Sequence, residues 1–496
     1  MFRVMKTALI KILFGSALAA VSLSSCKGFL EEYSPDEVVP KNVREYSELL
    51  FGESYFRGEK LPFEFLELMT DDVEATYNGK NTSGDDTRQA FWGYFTWQSS
   101  PELSPTGVLN SDGSWQRLYH QIFMANVVLK HIGDMDGLPE DIAQLEGEAY
   151  SARLFAYYML ANMYGEPYNP ATAAQALGVP INDKTYAVDT VFARASLQAN
   201  YQQMRSDADK ALEAFSRGNG SRSPFRWNAG AAAVLASRVA LYMQDWKAAI
   251  DYADKALEVN SSLYNLNSKQ TADASNSKGI ICDDNPELLF TYGFYQSTPL
   301  STGHLYFFSP SAALTGSFEQ DDLRYWNGKG LYIKQTRVRI GGSFWKPIYA
   351  YYYAPAKGAQ DSYSGRYGYG LRSAEAYLNK AEAFAMLGEA DKALEQLNIL
   401  RLARFKTGSK NATALMPDSP QGLIELVRAE RRREFCFEFQ RWFDLRRWDR
   451  PEIKHSYITN GEEDAREEHV LQSGDPRYTL PIPTEVLNSD AALSKG

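Results

Sequence analysis

The sequence predicts a mostly α-helical protein: a scaffold of tetratricopeptide-like helical hairpins carrying long irregular, loop-rich insertions and a few short strands. Three observations predict it. Two helix pairs, residues 227–259 and 371–405, superimpose position by position. The chain between them, Ser261 to Gly370, is rich in Ser, Gly, Asn, Tyr and Phe and holds only short β-type runs. A third stretch, Arg428 to Trp448, crowds Arg, carboxylate and aromatic side chains into one run without Gly or Pro.

The amino terminus comes first. Arg3, Lys6 and Lys11 precede an apolar run, Ile12 to Leu23, studded with small residues. That run is about half of the ~20 residues a membrane-spanning helix needs, so residues 1–25 read as an export signal. Leu23-Ser24-Ser25-Cys26 resembles a bacterial lipobox. Cys26 would then carry acyl chains, each buried methylene contributing ~0.8 kcal/mol, which anchors a protein without spanning the membrane. Residues 26–40 form the tether and 41–496 a single domain.

Short helical pieces are expected at Tyr46 to Phe51 and Leu61 to Met69. A polar, turn-rich insertion, about 71–113, holds the aromatic cluster Phe91-Trp92-Gly93-Tyr94-Phe95-Thr96-Trp97. From Trp115 to Ile132 apolar residues recur at helical spacing. Ile142 to Tyr164 is a long Ala-rich helix stopped by Gly165 and Pro167, and Leu197 to Phe215 is another. Trp227–Met243 pairs with Trp246–Val259, and Leu371–Leu387 with Ala390–Phe405. Trp246, Ala249, Ala253 and Ala256 align with Ala390, Ala393, Leu397 and Leu400. Small residues at such places let two helices approach closely, the logic of tetratricopeptide repeats with a period near ~34 residues. Because the pairs are not contiguous, a regular open solenoid is not expected. The scaffold occupies about 115–260 and 371–450, with the second insertion at about 261–370. In that insertion Leu288 to Tyr292 and Leu331 to Arg339 read as strands, and the Tyr-rich run from Tyr349 to Tyr353 as a strand with rings on both faces.

Arg428 to Trp448 begins as a helix on which Arg431, Arg432 and Arg433 reach Glu430, Glu434 and Glu438 across neighbouring turns. Phe435, Phe437, Phe439, Trp442, Phe443 and Trp448 cannot all face water without a large sticky patch. The segment is therefore expected to be partly buried, with guanidiniums paired to carboxylates and lying on rings. The interleaved acids cancel most of the positive field, which argues against a nucleic-acid surface.

The same residues carry a resemblance. Glu430, Arg431, Arg432, Glu434, Phe437, Glu438, Arg441, Trp442, Phe443, Asp444, Leu445, Arg446, Arg447 and Trp448 match the carboxy-terminal signature of the SusD/RagB family, the surface glycan-binding lipoproteins of Bacteroidetes. Phe439 stands where that signature often has Gly, and Cys436 where it often has a small apolar residue. Trp115, Tyr119, Ile122, Ala125 and Asn126 reproduce a second family pattern, and Leu480-Pro481-Ile482-Pro483 with Glu485 resembles the family's closing segment. The resemblance implies a SusD-like fold over the mature chain, with the Arg-rich signature structural rather than ligand-binding. It also implies a SusC-like TonB-dependent transporter as partner. Glu31 and Glu32, soon after Cys26, fit export to the outer face of the outer membrane.

Composition narrows the chemistry. A formal charge of −10 disfavours nucleic acid or anionic lipid as main partner. Three Cys and five His argue against a Cys/His zinc site, and Cys282 and Cys436 read as buried, inert thiols. No metalloprotease, nucleophile-elbow, P-loop or dinucleotide motif occurs. No cofactor is expected; Asp283-Asp284 and Asp321-Asp322 are the pairs with calcium-ligating chemistry, although adjacent loop carboxylates are more often simply solvated.

With 31 Tyr and 9 Trp, many rings must reach the surface or line a groove. A sugar offers an apolar face to an aromatic plane and a hydroxyl rim to amides and charges. Two regions suit that. One is Trp92, Tyr94, Trp97 and Gln98; the other is Tyr295, Gln296, His304, Tyr306 and Phe307, joined by Trp326, Asn327 and Arg324. The expected function is non-catalytic capture of an oligo- or polysaccharide at the cell surface. A peptide or glycopeptide ligand, or a surface glycoside hydrolase, are the alternatives.

Overall fold

Helix pairing follows the small residues. In this computed structural model the described residues are 40–57, 61–76, 85–186, 192–270, 279–293, 307–325, 330–343, 346–355, 368–458 and 465–494. The principal helices are α1 (Val43–Ser54), α2 (Ser114–His131), α3 (Pro139–Tyr164), α4 (Leu197–Arg217), α5 (Ala229–Tyr242), α6 (Trp246–Val259), α7 (Ser373–Met386), α8 (Ala390–Arg404), α9 (Pro420–Phe435) and α10 (Arg441–Arg447). The two expected hairpins are α5–α6 and α7–α8. Ala249, Ala253 and Ala256 on α6 and Ala393, Leu397 and Leu400 on α8 are fully buried, as the alignment requires. Asn228 and Asp245 cap α5 and α6 by accepting from the backbone N–H groups of Ala231 and Ala248. Gln244 and Gly388 turn the hairpins with φ of 61° and 77°.

The hairpins are separated in sequence but not in space. Helices α2 to α9 pack in chain order, each on its neighbour, and α7 lies against both α6 and α5. The insertion before α7 therefore leaves the stack without interrupting it. Buried polar groups fix the join: Arg238 on α5 makes two bonds of 2.5 and 2.6 Å to Glu375 on α7, and Asn379 donates to the Ser237 hydroxyl at 3.1 Å. Helix α3 is apolar nearly all round because it is sandwiched between α2 and α4.

The strands are β1 (Val73–Ala75), β2 (Leu288–Tyr292), β3 (Phe308–Pro310), β4 (Ile333–Ser343), β5 (Lys346–Pro355), β6 (Tyr369–Arg372), β7 (Ile453–Ile458) and β8 (Arg466–Leu471). Among the described residues they form separate antiparallel pairs, β1–β3, β2–β6, β4–β5 and β7–β8. The predicted runs at 288–292, 331–339 and 349–353 fall in β2, β4 and β5. The β7–β8 pair lies where no strand was expected from the sequence.

The Arg-rich run is more deeply buried than expected. Glu434 is inaccessible and accepts from Arg404 at 2.9 and 3.0 Å, Arg372 at 2.7 Å, Arg324 at 3.1 Å and the Tyr332 hydroxyl at 2.7 Å. Glu430 pairs with Arg324, Arg401 and Arg433 at 2.6 to 2.7 Å. Glu287 pairs with Arg372 and Arg404, and Glu438 with Arg372. One network thus joins α9, α8, β6 and two points within the second insertion, Glu287 and Arg324. Rings cover it: the Arg372 and Arg431 guanidiniums lie 5.5 and 5.1 Å from the centre of Phe435. Burial alone would raise the Glu434 carboxyl, but the charges of Arg404, Arg372 and Arg324 hold it well below the usual range. Arg431 and Arg447 likewise hold the buried Asp444 carboxyl down. Arg324, considered from the sequence as a companion of Trp326 at a ligand face, belongs to this interior and is fully buried.

Phe437 and Phe439 both take left-handed backbone, φ 61° and 60°. Phe439 is where the signature often has glycine, the residue that adopts this conformation without strain. The Phe ring is retained by packing: it meets Phe63 edge-on at 5.3 Å and Tyr369 at 4.5 Å.

Replacing Glu434 leaves three buried guanidiniums short of charge. Glu434→Gln is expected to lower stability by about 3–5 kcal/mol; an unchanged denaturation midpoint in guanidinium chloride would contradict the network's role. Acid should act the same way. The unfolded carboxyls titrate near 4.5 for Glu and 3.8 for Asp, and the folded values of Glu434 and Asp444 lie below these. Their contribution is complete above the unfolded values and is lost as pH falls through the folded ones. Unfolding followed by circular dichroism should set in only below ~pH 4.5, and a midpoint that does not move with pH there would refute this.

Candidate binding cleft

The end of α3 organises a cleft. The last four carbonyls of a helix lack partners within it, and here each finds one. Ala161 O accepts from Gly165 N, Met163 O from Leu480 N, Tyr164 O from Arg194 and Asn162 O from Arg446. Arg446 also donates to Gly165 O at 2.5 Å and to the Thr479 hydroxyl at 3.2 Å. Cations suit a helix C-terminus, whose dipole is negative there. The Arg-rich signature and the closing segment therefore meet at one helix end.

Between this end, the aromatic segment and the closing segment lies a cleft of 520 Å³. Its polar lining includes Gln98, Glu166, Arg194, Arg477 and Thr479; Leu177, Pro476, Pro481 and Ile482 supply apolar surface. Arg477 is held by two bonds to Asp475, at 3.0 and 2.7 Å, and donates to Trp97 O at 3.2 Å. Arg194 donates Nε to Gly178 O at 2.7 Å and Nη2 to the Tyr164 and Leu177 carbonyls. Among the described residues it has no carboxylate within ion-pair distance.

The expected site residues divide. Trp97 and Gln98 border the cleft, but the aromatic segment is not the open loop expected. Trp92–Phe95 is a helical turn, and Gly93 lies so close to Pro101 that a Cβ would fall 2.4 Å from the Pro101 carbonyl oxygen. Trp97 is 1% exposed; its indole N–H donates to Met69 O at 3.0 Å and its ring stacks on His455 at 4.2 Å. Tyr94 is buried against Phe65, ring centres 4.0 Å apart, with its hydroxyl on Asp112. Neither ring presents a free face. Their apolar area and buried N–H or O–H groups find better partners inside. Trp92 is half-buried, and Gln98 is half-buried with its amide on the Thr96 hydroxyl at 3.0 Å. In the second region, Phe307 is buried, while Tyr295, Gln296, His304, Tyr306, Trp326 and Asn327 lie outside the described residues, as does Cys26.

The calcium pairs also divide. Both oxygens of Asp322 are taken by Arg324, at 2.9 and 2.7 Å, which removes Asp321-Asp322 as a calcium site. Asp283 and Asp284 are exposed, with the Cys282 sulfur within 4.8 Å of their oxygens. Sequence reasoning missed Arg194, Glu166 and Arg477 because each is a single charged residue in a connecting segment, without period or motif.

His455 packs against Trp97, one of the residues lining the cleft. It is sandwiched between Phe95 and Trp97, both at 4.2 Å, with Nδ1 2.6 Å from Phe95 O and Nε2 2.9 Å from Thr70 O. Burial pushes the imidazole down to about 4, so near neutral pH it donates to one carbonyl at a time. Removing the Trp97 ring from this stack opens a cavity. Trp97→Ala is expected to cost about 3–5 kcal/mol of stability, read as a lower denaturation midpoint; wild-type stability would place the ring outside the core.

The comparisons with known proteins agree with this architecture. A model of the SusD family matches residues 211–495. A second family model, described as starch-binding associating with outer membrane, matches residues 68–241. SusD-like protein P38 of Formosa agariphila is 23% identical over 422 residues, 72% of this chain and 79% of that one. A SusD-like carbohydrate binding protein from Bacteroides vulgatus superimposes with a TM-score of 0.65 at 20% identity, covering 92% of this chain and 98% of that one. A SusD superfamily protein from Bacteroides thetaiotaomicron gives 0.66 at 20% identity, covering 91% and 99%. A family match over more than half of the length, with the same helical fold in solved relatives, places this chain in the SusD family.

Proposed function

We propose that the protein binds a glycan at the outer face of the outer membrane, without catalysis, and delivers it to a SusC-like TonB-dependent transporter. Membership of the SusD family is the observation that carries this reading. The B. vulgatus structural relative described as carbohydrate binding and the family model described as associating with the outer membrane support it. The cleft supports it too, since hydrogen-bonding side chains and apolar Pro, Leu and Ile surface line it together. Gln98, Arg194 and Thr479 are the proposed polar contacts within it; Tyr295, Gln296, Tyr306 and Trp326 remain proposed ligand contacts, the three rings by stacking and Gln296 by hydrogen bonding.

Binding is preferred to hydrolysis on a specific ground. Glycoside hydrolysis needs two carboxyl groups flanking one bond, ~5 to 9.5 Å apart. Glu166 is the one carboxylate among the residues lining the cleft. Several other acids that a sequence search would offer as partners, among them Glu430, Glu434 and Glu438, are buried in ion pairs.

Residues 1–25 are proposed as the export signal and Cys26 as the lipidated residue at the head of a tether. Among the described residues no helix is long and apolar enough to cross a membrane. Cys26→Ala should move the protein from the membrane to the soluble fraction; unchanged fractionation would rule out the anchor. On affinity gels loaded with plant, host and microbial polysaccharides, at least one polysaccharide should retard the purified protein and release no new reducing ends. No retardation on any gel would overturn the glycan reading, and new reducing ends would establish a hydrolase.

A further inference from the structure

We propose that the cleft selects an acidic glycan, one whose sugar ring carries a carboxylate such as a hexuronic acid, and that Arg194 receives that carboxylate. The inference rests on the glycan-binding reading and names the class of ligand within it.

The ground is an imbalance of charge at one place. Arg194, Arg446 and Arg477 stand around the cleft, two lining it and Arg446 behind Thr479. Among the described residues, Arg477 alone of the three has a carboxylate, Asp475, within ion-pair distance. Glu166 lines the cleft and its charge favours both remaining guanidiniums, but it is exposed and makes no ion pair with either among the described residues. Elsewhere in this acidic chain, guanidiniums of comparable or deeper burial, such as Arg238, Arg324, Arg372 and Arg404, are paired with carboxylates. Arg446 is 3% exposed and bonded only to carbonyl and hydroxyl oxygens, with its Nε unpartnered. Taking such a charge out of water without a counter-ion is costly.

Arg194 has the geometry to receive an anion. Three carbonyls hold Nε and Nη2, so the guanidinium plane is fixed before any ligand arrives. Nη1 has no hydrogen-bond partner among the described residues and belongs to a half-buried side chain at the cleft wall. A pre-oriented N–H donating to a carboxylate makes a charge-assisted bond, roughly twice as strong as a neutral one. Pro476, Pro481 and Ile482, which line the same cleft, offer the apolar face of that sugar ring a surface. A neutral glycan would gain the apolar contact but leave the cationic excess unanswered.

The test compares one oligosaccharide in two charge states. Calorimetry of the purified full chain with a hexuronic acid oligomer and with its methyl ester keeps the rings and removes the charge. The acid should bind at least about tenfold more tightly, a difference of ~1.4 kcal/mol, and added salt should weaken the acid and not the ester. Arg194→Gln should bring acid and ester to equal affinity, and Arg194→Lys should restore part of the preference. Equal affinity of acid and ester in the unaltered protein would overturn the inference, as would an acid preference that survives Arg194→Gln. Because Arg194 also caps α3, circular dichroism of each variant precedes binding; if Arg194→Gln does not fold, the acid-to-ester ratio and its salt dependence in the unaltered protein decide. Binding of neutral polysaccharides without acid preference would refute the ligand class alone, whereas no retention of any polysaccharide would refute the glycan reading with it.

Discussion

Glu434 is the point on which the fold depends. Its carboxylate, fully enclosed, holds together guanidiniums from β6, from α8 and from the loop that ends at Arg324. Charges taken out of water are tolerated only when paired and hydrogen-bonded, so these segments have few alternative places to go. A hydrophobic core of the same volume would be as stable or more so, but it would not specify which segment meets which. That specificity is what a chain with a long insertion between two hairpins requires. The network ties the interior of the insertion, at Glu287, to the place where the chain returns to the stack, at Arg372.

A second consequence appears at α3. The same run that supplies Glu434 continues to Arg446, which reaches the carbonyls at the end of α3, and the closing segment adds Leu480 N to the same end. Structural signature and candidate cleft are thus connected by one short piece of chain. A long buried helix has several orphan carbonyls to satisfy, and satisfying them with guanidiniums and a backbone N–H from distant segments builds a polar wall. The cleft lies beside that closed helix end, which holds Arg194 in place.

The aromatic residues show how burial and function compete for the same side chains. Trp97 and Tyr94 have the composition of a sugar platform, yet each spends its faces and its polar atom inside the protein. An indole or phenol is at once a large apolar surface and a hydrogen-bond donor, and both uses look alike in a sequence. Trp97 keeps a role at the cleft by bordering it and by offering its carbonyl to Arg477, not by stacking.

Periodicity and composition determined the helical scaffold, because a buried helix must repeat its small and apolar residues every three or four positions wherever it lies in the chain. The superposition of Trp246, Ala249, Ala253 and Ala256 on Ala390, Ala393, Leu397 and Leu400 made both hairpins legible. The density of Arg, Glu and rings at 428–448 made an ion-paired interior legible, and β2, β4 and β5 were readable as β-branched and aromatic runs. Tertiary structure alone decided the rest. Which acid meets which guanidinium depends on contacts such as Arg372 with Glu434, far apart in sequence. Whether Trp97 faces solvent depends on His455 and Met69, which arrive from elsewhere. The cleft depends on Arg194, Glu166 and Arg477, single residues that share a site only because α3 ends there. Local pattern reports what a segment can bury; only the assembled chain fixes what it is buried against.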